Sequence, residues 1–198
     1  MGTFNRGFKT WAERTAIAIR RECGHQPSDP LPASDLAAHL GVGLLTPDEI
    51  PGLPVTERRQ LLESDPDGWS GVTIEIGKHH VVIYNPRHSG GRIASDQMHE
   101  LAHIVIGHAP SRMVISPDGE IVMRSYDQKQ EDEAAWLSGC LLLPREALLS
   151  IARSRLSDGE VCKRFCVSPQ MLKSRRNLTG VARQMQRLAH GRLSPRRT

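Results

Sequence analysis

Residues 99–103 read His-Glu-Leu-Ala-His, a match to H-E-x-x-H. Side chains four apart on a helix lie one above the other, so both imidazoles can reach one metal ion. Imidazole suits zinc, at about 2.0–2.1 Å. Glu100 stands beside the first histidine and points partly to the same opening. There it can take a proton from a water activated by the metal, which makes it the candidate general base. A catalytic zinc needs a third protein ligand and one open position. His108 lies five residues after His103 rather than six, with Gly107 directly before it, which excludes the pattern that uses a third histidine downstream. A carboxylate from a following helix is the other common choice, and Glu131, Asp132 and Glu133 are the candidates. Glu131 and Glu133 point about 200° apart on a helix, so one ion cannot take both. Small residues, Ala134, Ala135 and Ser138, surround Glu131 and would let two helices approach closely; bulkier Trp136, Leu137 and Cys140 surround Glu133. Glu131 is therefore the expected third ligand, with Glu133 as the alternative. Hydrolysis of an amide also needs a donor for the developing oxyanion. Tyr126 is the candidate carried forward, with Tyr84, His108 and His80 as further choices.

These side chains need elements to hold them. Met98, Leu101, Ala102 and Val105 form an apolar stripe at helical spacing around the motif. Ser95 is a suitable cap for that helix, Asp96 suits its first turn and Gly107 its end. The run before it alternates: Val72, Ile74 and Ile76, a Gly77-Lys78 turn, then Val81 to Tyr84. That predicts a β-hairpin whose strand beside the cleft could pair with extended substrate. A helix is expected from about Lys129 to Leu142, stopped by Pro144. Upstream, residues 7–22 and 33–40 read as helices, and 57–62 as one or two helical turns. The polar segment 111–128 has turn residues at Pro117 to Gly119, as a second hairpin would. Residues 158–176 resemble a helix-turn-helix, with Ser168 as cap and Pro169 at the first helical position. Cys162 and Cys166, without nearby histidines, are weak metal candidates, and Cys166 is expected in the core beside Phe165 and Val167.

The 198 residues, 38% hydrophobic and 24% charged, have a globular composition that is neither fibrous nor generally disordered. Arg14, Arg20 and Arg21 interrupt the apolar residues at the start, so no signal peptide is expected there. No stretch reaches 18 apolar residues, so no membrane span is expected. The four cysteines are expected as free thiols and the location as cytoplasmic. Charge is uneven. Residues 1–150 hold 14 Lys/Arg against 20 Asp/Glu, and residues 151–198 hold 12 against only Asp158 and Glu160. A basic segment of this kind can meet phosphates, so a DNA-binding role has to be weighed.

Three runs together resemble the ImmA/IrrE metallo-endopeptidases. The first is Asn85-Pro86 through the histidine motif to Gly107-His108. The second is Glu131 to Leu137 followed by Leu141-Leu142-Leu143-Pro144, similar to the family's E-x-x-A-N-x-F-A and L-L-M-P. The third is Arg164-Phe165-Cys166-Val167-Ser168, similar to R-F-x-V-S. Departures are Ala135 where the family usually has Asn or Asp, Leu137 for Phe and Ser138 for Ala. A residue at 135 could orient a ligand histidine; Asp96, Asp127 or a backbone carbonyl are the candidate substitutes.

The resemblance implies an α+β fold. A zincin-like core of small β-sheet and active-site helix occupies residues 1–150, followed by short basic helices in 151–198 that pack on it. It implies zinc as cofactor, and a helix-turn-helix repressor or antitoxin as substrate, cut to release an operon. The basic segment then belongs to the fold, and no specific DNA binding is expected. The alternative is a non-enzymatic regulator, with a structural metal and a basic segment that binds DNA or a partner.

Overall fold

The computed structural model describes residues 4–64, 66–77, 79–108, 113–115, 121–124, 127–184 and 187. Two helices come first: α1 (Phe8–Glu22), whose Ala12 and Ala16 are fully buried, and α2 (Ala33–Leu40), closed by Gly41 at φ +67°. Strand β1 (Gly43–Leu45) follows; its three residues carry too little alternation to stand out in the sequence. A short helix, α3 (Val55–Arg59), widens into a π turn through Ser64. The expected hairpin forms from β2 (Gly71–Ile76) and β3 (His79–Tyr84), with Ile76 opposite His79 across the two-residue turn. β1 adds to β3 in parallel, giving the sheet order β1-β3-β2. Among the described residues β2 is thus an edge strand.

The motif helix α4 (Gly90–Ile106) starts six residues earlier than a cap at Ser95 would give; Ser89 is at the cap position and Ser95 lies inside the helix. The first turn packs closely on a distant segment: a Cβ on Gly91 would sit 3.2 Å from Ser168 N and Val167 C, so glycine there lets the helix start against that turn without displacing it. Strands β4 (Met113–Ile115) and β5 (Ile121–Arg124) pair as a second hairpin, whose tip lies outside the described residues. Asp127 caps α5 (Gln128–Leu142) through the amides of Lys129 and Gln130. α6 (Arg145–Arg153), α7 (Asp158–Phe165) and α8 (Pro169–Leu178) complete the chain, the last capped by Ser168 with Pro169 at its first position.

One hydrophobic core joins α1, α2 and β3 to α4 and the helices that follow it. It contains Ala16, Leu36, Val82, Leu101, Leu137 and Leu148, and also Val161, Phe165 and Leu172 of the basic segment. The stretch Gln128–Arg153 is long and apolar enough to cross a membrane, but 67% of its most apolar window is buried inside the fold, as suits a core element. Arg20 is fully buried, and its guanidinium donates to the carbonyls of Leu141 and Leu142 at the end of α5. Arg175 on α8 donates to Leu143 O and to Glu13. Two arginines remote in sequence thereby satisfy carbonyls that a helix end leaves without partners. Burial pulls Arg20 down to about 10, still charged at neutral pH, and pushes the neighbouring Cys140 thiol up to about 12. The four cysteines are free thiols. Cys166 is exposed rather than in the core: at φ +51° it closes α7 in the left-handed region and turns Val167, not itself, inward.

Candidate metal centre

α4 and α5 pack face to face, with Leu101, Ala102, Ala134 and Leu137 fully buried. Ala134 belongs to this interface, while Ala135 faces solvent, so only part of the small-residue face expected around Glu131 is used. The packing sets the polar ends of His99, His103 and Glu131 together. His99 Nε2 lies 3.1 Å from Glu131 Oε2 and 3.1 Å from His103 Nε2. His103 Nε2 lies 3.6 Å from Glu131 Oε1. These three residues form a group able to hold a metal ion, with one atom from each inside a 4.8 Å span. Atoms about 2.0–2.1 Å from one ion at tetrahedral angles stand about 3.3 Å apart, so the 3.1–3.6 Å spacings fit such an ion. Burial, and then the charge of His99, holds His103 down to about 4. At neutral pH its ring is therefore uncharged, the form a metal needs.

Glu133 goes elsewhere. It is buried, and its Oε2 lies 3.3 Å from Nε2 of His108. His108 in turn places Nδ1 2.9 Å from Nδ1 of His103. Of the candidate substitutes for residue 135, the two aspartates are engaged elsewhere: Asp96 pairs with His88 at 2.9 Å, and Asp127 caps α5. His108 stands against the ring nitrogen of His103 that faces away from His99 and Glu131, so it is not placed to meet an oxyanion at the metal. Tyr126 lies outside the described residues. Tyr84 sits at the end of β3 opposite Gly71, and His80 has a buried Nδ1 with no hydrogen-bond partner among the described residues.

Glu100 is on the same helix and faces β2. Thr73 Oγ1 donates to Glu100 Oε2 at 2.6 Å, and a Cβ on Gly71 would touch Glu100 Cγ at 3.4 Å. Both contacts were illegible in the sequence, because they depend on how the hairpin lies over α4. A cavity of about 720 Å³ opens here, lined by Leu61, Trp69, Val72, Asp96, His99 and Glu100 among others. Its wall at residues 67–70 is held by buried Asn85, whose amide donates to the carbonyls of Pro66 and Trp69.

A family model for the IrrE N-terminal-like domain of peptidase M78 matches residues 56–177. The chain belongs to this peptidase family. The match begins at α3 and ends in α8, so it takes in the hairpin, the histidine helix, α5 and the helix-turn-helix-like element. The ImmA/IrrE resemblance of the sequence is thereby established, and membership makes the chain a peptidase of a metallopeptidase family. No curated protein matches the chain.

Proposed function

We propose that this IrrE-like peptidase is a cytoplasmic zinc-dependent endopeptidase that cuts a regulatory protein, a helix-turn-helix repressor or antitoxin, and so releases an operon. The observation that carries the reading is Glu100: a carboxylate lining the wide cleft, next to a converged His-His-Glu set. A metal that only held the fold together would have no use for a base there. The proposed ligands are His99, His103 and Glu131, and the nitrogen and oxygen donors suit zinc. When bound, zinc supplies a Lewis acid and a water acidified to a pKa of about 7.

The chain's own groups do the rest. Glu100 takes a proton at its carboxylate and delivers it to the leaving amine nitrogen. Thr73 keeps that carboxylate turned toward the cleft. The edge of β2, unpaired among the described residues, can hydrogen-bond an extended peptide, while Leu61, Trp69 and Val72 offer apolar surface to one of its side chains. Tyr126, two residues beyond β5, is the donor we propose for the oxyanion. A folded helix cannot enter such a cleft, so the substrate is cut in an exposed or loosened segment.

The basic segment is proposed to serve the fold and not to read DNA. Arg175 is buried on Leu143 and Glu13, and Arg176 pairs with Asp158 at 2.8 Å. A footprint on the protein's own promoter, at physiological salt and without a partner, would contradict this. The test of the enzymatic reading is cleavage of the operon's own helix-turn-helix protein by wild type and by Glu100→Gln. Gln keeps the size and the hydrogen bonding but cannot take the proton. Activity is expected to fall roughly 10²–10⁴-fold with zinc content and fold unchanged. Equal cleavage by both proteins refutes the mechanism. A zinc-loaded wild type that binds the repressor without cutting it points to the non-enzymatic regulator.

A further inference from the structure

His103 has two ring nitrogens, and the fold assigns each a different neighbour. Nε2 faces His99 and Glu131, and Nδ1 faces Nδ1 of His108 at 2.9 Å. His108 is folded back over the motif because Gly107, at φ +80°, ends α4 in the left-handed region. The amide of His108 then donates to the carbonyl of His103 itself. On the far side of His108, Nε2 meets Glu133 Oε2 at 3.3 Å. The His108 and Glu133 side chains are only 7% and 11% exposed, so water does not compete freely for these contacts. The rotation of about 200° between residues 131 and 133 on α5 is what sends one carboxylate to the ligand atoms and the other to the residue behind them.

We propose that Glu133 and His108 form a positioning relay that fixes both the orientation and the proton of His103, and so sets its metal-binding nitrogen. The proposal rests on the metal reading above. A neutral imidazole carries one N–H and one lone pair. An ionised carboxylate only accepts, so Glu133 selects the form of His108 with its proton on Nε2. That leaves a lone pair on His108 Nδ1. It can accept only from an N–H, so the proton of His103 is drawn to Nδ1. The lone pair of His103 is then on Nε2, the atom that faces His99 and Glu131. With no such acceptor, the proton could sit equally on Nε2, where it would block that atom. His108 is thus a positioning residue acting through His103, two side chains deep.

The test is zinc affinity, by competition with a chelating dye, on His108→Leu and His108→Asn. Leu fills the space and accepts nothing; Asn places an amide oxygen near where Nδ1 stood. Loss of a partner of this kind costs about 10- to 100-fold in metal affinity, expected for His108→Leu, with His108→Asn within a few-fold of wild type. Nitrogen-15 imidazole spectra of zinc-loaded wild type should put the His103 proton on Nδ1 and the His108 proton on Nε2. This readout needs no variant, so it decides the matter even if His108→Leu does not fold. Equal affinity of His108→Leu and wild type, equal loss in both variants, or a His108 proton on Nδ1 overturns the relay. A wild type with the stated tautomers and no peptide cleavage supports the relay while the peptidase reading fails. A wild type that takes up no zinc overturns both.

Discussion

The two ends of α5 both collect buried or half-buried polar side chains, and they do so in opposite ways. At the C-terminal end, Arg20 and Arg175 bring donors to fixed acceptors, the carbonyls of Leu141, Leu142 and Leu143. Each group there is satisfied by another, and the remaining charge of Arg175 meets Glu13. At the N-terminal end, Glu131, His99 and His103 bring a carboxylate and two ring nitrogens, each able to ligate a metal, within 3.1–3.6 Å of one another. Such a set could share one positive ion at its centre. The first arrangement is what a fold uses to close a helix end; the second is what a site looks like. The difference lies in whether the polar atoms are complementary, not in how many there are or how deeply they are buried.

That contrast can be broken experimentally. Glu131→Ala should lose zinc by well over the roughly 10- to 100-fold that a supporting partner is worth, with little change in the apo protein's stability. Metal analysis beside Glu133→Ala checks it: zinc retained in the first and lost in the second would reverse the ligand choice. At the other end the effects should be exchanged. Arg20→Leu leaves buried carbonyls unpaired and should cost about 2–4 kcal/mol in urea unfolding, with zinc affinity of the folded protein unchanged. A smaller effect is expected beside the site. Thr73→Val removes the hydrogen bond that holds Glu100 and should lower kcat by about tenfold, roughly 1.4 kcal/mol, while zinc binding stays the same. A kcat equal to wild type would show that Glu100 is held by other contacts.

The smallest effect concerns acid. His103 is held at about 4 in the folded protein against an ordinary value of about 6.5. The unfolded chain therefore binds more protons between these values, and the stability of the metal-free protein should fall as pH drops from about 6.5 toward 4. His103→Leu should flatten that part of a pH series of thermal melts. An unchanged slope would assign the acid sensitivity to another group.

Local periodicity carried much of the molecule. The spacing of His99 and His103, the alternation across the β2–β3 hairpin, and the helix ends at Ser168 and Gly107 all depend on residues a few positions apart, where sequence and geometry are tightly linked. The same is true of the angle that separates Glu131 from Glu133, which the fold sends to different histidines. Helical geometry alone placed them on different faces. What it could not supply were the relations between distant segments. Gly90 and Gly91 read as loop on propensity, yet they begin α4, and Gly91 does so in close contact with the turn at Val167–Ser168, where a Cβ would come within 3.2 Å of backbone. Thr73 on Glu100, Arg20 on the end of α5 and Glu133 on His108 join residues 27, about 120 and 25 positions apart. No local pattern encodes such pairs. They follow from which helix and strand faces come to lie together once the shared core is buried, and that is a property of the packed chain.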